Sequence, residues 1–120
     1  MIRVALADDA DEMRFLVRIV LETDGRFEVV GDAADGIEAM ELLERESPDA
    51  LILDMAMPNM DGLEVLAEMK VRGLHPKVLA FSGFNGGVEE AATQLGADVY
   101  LRKGASTIKQ LVPSLIALFA

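Results

Sequence analysis

Hydrophobic residues alternate along the chain between short continuous runs and longer runs with helical spacing. The short runs predict five buried strands, at 2–7, 27–31, 50–53, 77–81 and 98–101. The longer runs predict helices at 11–24, 36–46, 62–71 and 88–95 and a last helix from 107 onwards. Strands that alternate with helices in this way favour an α/β fold, a doubly wound five-stranded parallel sheet with helices on both faces.

The same spacing predicts which helical residues face the sheet. In helix order these are Phe15, Leu16, Ile19 and Val20; Ile37, Met40, Leu42 and Leu43; Leu63, Leu66, Ala67 and Met69; and Ile108, Leu111, Val112, Leu115, Ile116 and Phe119. Asp61 and Ser106 are expected to cap the third and the last helix. Pro113 predicts a kink in the last helix, since proline has no backbone N–H.

Composition narrows the class of protein. The 120 residues fit one domain, 52% of them are hydrophobic and only 5% are aromatic, so we expect an aliphatic core. A formal net charge of -10 disfavours direct nucleic-acid binding, which needs clustered cations. The lack of cysteine excludes disulfides and cysteine nucleophiles, and no apolar run approaches the ~18 residues of a membrane span. We expect a cytoplasmic protein without direct membrane contact.

Polar residues follow four of the five predicted strands. They are Asp8 and Asp9, Asp54, Ser82 and Lys103. In an open parallel sheet the carboxyl ends of the strands form the ligand-binding edge. Three neighbouring carboxylates repel one another, and a hard divalent cation such as Mg²⁺ relieves that repulsion. With a lysine and a hydroxyl beside them, they suit phosphoryl transfer to one carboxylate.

Each of these residues also has an ordinary structural interpretation. Asp8 and Asp9 could cap the first helix, Ser82 could satisfy a backbone group, and Lys103 could be a surface lysine. Because all of these residues are predicted to lie at one edge of the sheet, a phosphoryl-transfer site is favoured over separate structural roles.

Four stretches of the chain resemble the receiver domain of two-component response regulators, whose fold is flavodoxin-like. They are Val4-Ala-Leu-Ala-Asp-Asp9, Asp54-Met-Ala-Met-Pro-Asn-Met-Asp-Gly-Leu63, Phe81-Ser-Gly83 and Gly96-Ala-Asp-Val-Tyr-Leu-Arg-Lys103. The resemblance implies that residues 1–120 form a single receiver domain, with any effector domain elsewhere.

The resemblance also implies a role for each site residue. Asp54 would be the phosphoacceptor, and Lys103 and Ser82 would contact the phosphoryl group. Asp8, Asp9, Asp54 and the backbone carbonyl of Ala56 would hold Mg²⁺. Tyr100 would be the switch aromatic that follows Ser82, although spacing alone would make it a half-buried residue on an edge strand.

The sequence departs from the family pattern in two places. Gly104 stands where the family commonly has proline, so we expect a trans peptide after Lys103. Ala56 and Phe84 are apolar at positions that place the hydrolytic water when they are polar. We therefore expect a long-lived aspartyl phosphate.

The implied phosphodonor is a sensor histidine kinase or a histidine phosphotransfer protein. The implied output is a homodimer or a downstream effector, bound through the fourth helix, the fifth strand and the last helix. Two other functions stay open: a receiver-fold interaction module that works without phosphorylation, and a small phosphatase with an aspartate nucleophile. The phosphatase would need a second acid two residues after Asp54, where the sequence has Ala56.

Overall fold

The computed structural model describes residues 1–83 and 87–120, and in these residues it contains five strands and five helices. The strands are β1 (Ile2–Ala7), β2 (Phe27–Ala33), β3 (Ala50–Asp54), β4 (Lys77–Ser82) and β5 (Val99–Arg102). The helices are α1 (Asp11–Asp24), α2 (Gly36–Glu46), α3 (Gly62–Arg72), α4 (Val88–Gln94) and α5 (Thr107–Phe119). The predicted α/β fold is confirmed, with boundary differences of one or two residues. Within the described ranges no helix is long and apolar enough to cross a bilayer.

The strands form one parallel sheet in the order β2-β1-β3-β4-β5. The chain reverses direction across the sheet between β1 and β3, and ligands bind at such a switch point in open α/β sheets. Asp54 is the last residue of β3, and Asp8 directly follows β1. The topology therefore places these two carboxylates beside the crevice.

Alternate strand residues supply two separate apolar clusters, one on each face of the sheet. On β1, Ala5 and Ala7 belong to the cluster under α2, α3 and α4, whereas Val4 and Leu6 belong to the one under α1 and α5. The period of two is the pleat of the strands, and both faces are covered. The strands can therefore be continuously apolar, as the sequence pattern indicated.

The predicted inward face of α1 is wrong. Phe15, Leu16 and Ile19 are 67%, 42% and 44% exposed, and among the predicted residues only Val20 packs against the core. The buried residues are Val17 and Leu21. Apolar residues of α1 occur on several of its faces, so helical periodicity alone is consistent with two different buried faces. The buried stripe continues from Arg14, which reaches toward the sheet edge.

Two other predicted core positions are also exposed. Ile37 in the first turn of α2 is 49% exposed, and Ala67 lies on the outer face of α3, where Val65 is buried instead. Gly36 takes the inward position at the start of α2, because a Cβ there would lie 2.2 Å from the carbonyl oxygen of Met60. The close approach of α2 to this loop turns Ile37 outward.

The predicted side-chain cap is present at α3 and absent at α5. Asp61 forms a complete capping box with Glu64 at the start of α3, as predicted. Ser106 makes no side-chain cap bond at α5. The hydroxyl of Thr107 does not cap the helix but binds the preceding loop, accepting from the Gly104 N–H at 2.7 Å and donating to the Arg102 carbonyl at 2.6 Å. These bonds fix the loop after Lys103, whose peptide bond to Gly104 is trans as expected.

The predicted stripe of α5 is largely confirmed. Leu111 and Leu115 are buried, and Ile108, Val112 and Ile116 pack against the same cluster, while Phe119 is 38% exposed.

Carboxylates at the amino-terminal edge of the sheet are held by backbone donors. Asp49 accepts from the N–H of Arg3 at 2.9 Å, and Asp98 accepts from the N–H of Val78 at 2.7 Å. Each bond joins a loop to the first residues of a strand. These acids therefore satisfy backbone groups that the ladder leaves unpaired.

Candidate functional site

Three carboxylates converge at the carboxyl ends of β1 and β3. Asp8 and Asp54 are buried and Asp9 is exposed, and one oxygen of each lies within 4.8 Å of the others. The sequence predicted this convergence because both strands end at the same edge. Carboxylates this close raise each other's free energy when ionised, and a cation lowers it.

Lys103 supplies one cation to this cluster. Its Nζ lies 3.2 Å from Oδ2 of Asp8 and 3.2 Å from Oδ2 of Asp54, and 4.8 Å from the centre of the Phe81 ring. The carboxylates raise the pKa of this ammonium above its ordinary value, although its burial opposes the rise. Lys103 therefore stays charged and bridges both buried acids.

Burial raises the pKa of Asp54 from 3.8 to about 6, and the negative charge of Asp8 adds to the rise. The backbone N–H of Ala56 and the charge of Lys103 oppose it. At neutral pH the group is thus mainly a carboxylate, held in a place that disfavours its charge. A bound cation would relieve this cost.

The remaining oxygen contacts favour a metal ion over further protein partners. Oδ1 of Asp8 accepts from the Ala10 N–H at 2.8 Å, and Oδ1 of Asp54 accepts from the Ala56 N–H at 3.1 Å. Oδ2 of Asp8 is buried, and within the described residues it is paired with the Lys103 ammonium at 3.2 Å without hydrogen-bond geometry. A buried oxygen of this kind next to two other carboxylates fits the all-oxygen coordination of Mg²⁺.

Ser82 is buried at the end of β4. Its carbonyl accepts from the N–H of Lys103 at 2.9 Å, so the ends of β4 and β5 are joined directly at the site. Its side chain lines an open cavity of about 390 Å³ with Met55, Ala56, Met57, Asp61 and Val88. The structure therefore places Ser82 on the wall of the site and Ala56 on its rim, with the Ala56 side chain exposed.

Tyr100 lies on β5, paired with Ala80 and thus two positions before the pair Ser82 and Arg102. It is half-buried and packs against the cluster under α2, α3 and α4. This is the place expected of a half-buried aromatic on an edge strand, and its role as a switch stays a prediction. Phe84, the other residue of the hydrolysis hypothesis, lies outside the described residues.

Two side chains near the site, those of Arg14 and Asn59, were not predicted from the sequence. The guanidinium of Arg14 donates to the Asp8 carbonyl at 2.6 Å, and the Asn59 side chain donates to Asp35 at 2.7 Å. Asn59 has a φ of 68°, a left-handed conformation that asparagine tolerates. Its bond ties the loop that carries Ala56 to the cap of α2. Pro58 and Asn59 are turn-forming residues and are the local signal for this turn.

Comparison with known proteins agrees with this geometry. The family model described as response regulator receiver domain matches residues 4–114. A protein-glutamate methylesterase/protein-glutamine glutaminase of Koribacter versatilis is 36% identical over 97% of this chain and 34% of its own length. The chain spans 28–41% of the length of eight curated relatives that it matches.

Solved structures give the same result. A DNA-binding response regulator of the LuxR family from Staphylococcus aureus has a TM-score of 0.93 and 32% identity, with 100% of both chains covered. The response regulator domain of CheB from Thermotoga maritima has a TM-score of 0.85 and 29% identity, over 98% of this chain and 92% of that one. The chain belongs to the response regulator receiver domain family and is itself a receiver domain.

Proposed function

We propose that Asp54 accepts a phosphoryl group from a phosphohistidine of a sensor histidine kinase or a histidine phosphotransfer protein. The observation that carries the proposal is the buried Asp54 carboxylate, with Lys103 at 3.2 Å and Asp8 and Asp9 around it. A carboxylate oxygen of Asp54 forms the bond to phosphorus as the bond from phosphorus to the imidazole nitrogen breaks. The imidazole leaves with the electron pair and takes up a proton.

The residues of the site divide this work among them. Asp54 has a pKa of about 6, so at neutral pH it is deprotonated and can attack. The Ala56 N–H holds one of its oxygens, and Lys103 lies beside the other. Lys103 can bind an oxygen of the incoming phosphoryl group without losing contact with Asp8.

Asp8, Asp9, Asp54 and the carbonyl of Ala56 are the residues that would hold Mg²⁺. The bound ion would neutralise charge on the transferring phosphoryl oxygens. The buried Asp8 oxygen, which is paired with Lys103 but makes no hydrogen bond within the described residues, and the closeness of the three carboxylates support this assignment.

The proposed output is a change at the surface formed by α4, β5 and α5. Ser82 would turn toward the phosphoryl group and Tyr100 would follow, which biases this surface between two conformations. The short edge strand β5, whose residues are half-buried or exposed, supports a contact there, as does the nearly uncharged helix α5. A second copy of the domain or a downstream effector would bind this surface in the cytoplasm.

Intact-mass spectrometry tests the proposal. The wild-type protein with acetyl phosphate and Mg²⁺ should gain one phosphoryl group, and Asp54→Ala should gain none. Asp49→Asn is the matched control, because Asp49 lies at the opposite edge and asparagine can still accept from Arg3. Size-exclusion chromatography of the same samples reports dimerisation. A wild-type protein that takes neither a phosphoryl group nor beryllofluoride contradicts the proposal and favours a phosphorylation-independent interaction module.

A further inference from the structure

Arg14 contacts three segments of the chain at the edge of the site. One terminal nitrogen donates to the carbonyl oxygen of Asp8 at 2.6 Å, and the other donates to the Asp11 carboxylate. Its Nε lies 3.4 Å from the carboxylate of Asp32, at the end of β2. Only 15% of the side chain is exposed. This degree of burial is unusual for an arginine and indicates a fixed position.

The Asp8 carbonyl belongs to the peptide bond that joins Asp8 to Asp9. A donor on this oxygen fixes the plane of that peptide, and with it the direction in which the Asp9 side chain leaves the backbone. The Asp8 carboxylate has its own partners in the Ala10 N–H and Lys103. In the described part of the chain the Asp9 carboxylate has no such bond, so the backbone determines the point and direction from which this side chain extends.

We propose that Arg14 is a positioning residue that holds the Asp8–Asp9 turn in the arrangement a divalent cation requires. The inference rests on the proposed function, in which both aspartates hold Mg²⁺. Arg14 does not touch the ion. It acts on the backbone between two ligands, and an outer contact of this kind usually sets ligand geometry.

The three contacts explain why the residue is arginine. A guanidinium presents donors in a rigid planar fork. Here its terminal nitrogens donate to the end of β1 and the first turn of α1, while Nε lies 3.4 Å from the Asp32 carboxylate in β2 without a hydrogen bond in the described structure. A lysine ammonium is a single point and cannot span these acceptors at once. Arg18, one turn further along α1, provides a natural comparison. It lies 3.9 Å from the same Asp32 carboxylate and makes no contact with Asp8 in the described structure.

The test measures Mg²⁺ affinity by NMR titration of the wild-type protein, Arg14→Met, Arg14→Lys and Arg18→Met. We expect Arg14→Met to bind Mg²⁺ about tenfold more weakly or worse, and Arg14→Lys to lie between it and wild type. Arg18→Met should bind like wild type. In the metal-free proteins, the Asp9 amide should exchange faster with solvent in Arg14→Met than in Arg18→Met.

Two results would overturn the inference. One is Arg14→Met with an Mg²⁺ affinity within about twofold of wild type, even if urea denaturation shows a less stable fold, because the role is then only structural. The other is an Asp9 amide unaffected by the substitution. If Arg14→Met does not fold, Arg14→Lys decides, and wild-type affinity in that variant overturns the inference. Failure of the wild-type protein to bind Mg²⁺ contradicts the proposed function instead, and the metal-free exchange comparison still tests Arg14.

Discussion

Lys103 and Asp54 form an ion pair at 3.2 Å, yet the pKa of Asp54 still lies at about 6. One cation shared with Asp8 therefore does not offset the burial of Asp54 and the charge of its neighbour. The metal-free site keeps an excess of negative charge inside the fold. The stability of the metal-free fold is consequently linked to the protonation of this one residue.

Replacing Asp54 with asparagine should stabilise the metal-free protein at pH 7.5. The folded-state pKa is raised from 3.8 to about 6, so the folded protein holds its proton where the unfolded chain has released it. This contribution to stability is fully present below pH 4 and is lost as the pH rises through about 6, a loss on the order of 3 kcal/mol. Asp54→Asn lacks this titration.

Urea denaturation at pH 4 and pH 7.5 without Mg²⁺ checks this. The free energies of unfolding of wild type and Asp54→Asn should be similar at the lower pH and separate at the higher one. Equal pH dependence in both proteins would refute the linkage. Added Mg²⁺ should stabilise wild type more than the variant.

Removing the Lys103 charge should raise the pKa of Asp54 above about 6. The lysine is one of the two groups that hold this pKa down, and methionine keeps much of the side-chain volume without the charge. The measurement is a pH titration of the Asp54 carboxyl carbon by NMR in metal-free Lys103→Met. Lys109→Met, on the exposed side of α5, is the control and should titrate like wild type.

Asparagine at position 56 should shorten the life of the aspartyl phosphate. Ala56 lies on the rim of the cavity with an exposed side chain that cannot orient water, whereas an amide can. The rate of phosphate loss from phosphorylated wild type and Ala56→Asn, followed by mass spectrometry, measures the effect. Equal decay rates would disprove the idea that an apolar residue at this position prolongs the modification.

Asn59→Ala should be less stable than Asn59→Gly, by about 1 kcal/mol. Both variants lose the bond to Asp35, but only alanine is strained at a φ of 68°. Urea denaturation of the two variants separates backbone strain from the lost hydrogen bond. An alanine variant at least as stable as the glycine variant would show that the loop relaxes to another conformation.

Gly62→Ala should destabilise the fold by roughly 1–3 kcal/mol and weaken Mg²⁺ binding. An added Cβ would lie 2.7 Å from the carbonyl oxygen of Asp54 and 2.7 Å from Cα of Met55, so the backbone of the site must shift. Gly83→Ala is the control, because among the described residues nothing lies within 4 Å of its Cβ position. Equal unfolding free energies for the two variants would contradict the proposed clash.

The sequence could predict that Asp8, Asp54 and Lys103 lie close together. The hydrophobic pattern shows that each follows the end of a strand, and parallel strands end at the same edge of the sheet. The face of α1 could not be read in the same way. Phe15 and Val17 are both apolar, and the buried face is the one that continues from Arg14, whose bond to the Asp8 carbonyl is not indicated by the hydrophobic pattern. At the start of α5, Ser106 makes no cap bond, and the Thr107 hydroxyl instead binds the carbonyl of Arg102, a contact that the hydrophobic pattern does not indicate.

Carboxylates at the two ends of the sheet are expected to affect the stability of the fold in opposite directions. At the amino-terminal end, Asp49 and Asp98 are engaged by backbone donors, so a screen for abundant folded protein should retain them. At the other end the same screen should enrich neutral residues at position 54. A screen for metal uptake should reject those substitutions. Selection for folded protein and selection for metal uptake therefore favour different residues at position 54. Comparing the two screens at every position would locate the site without any knowledge of its ligand.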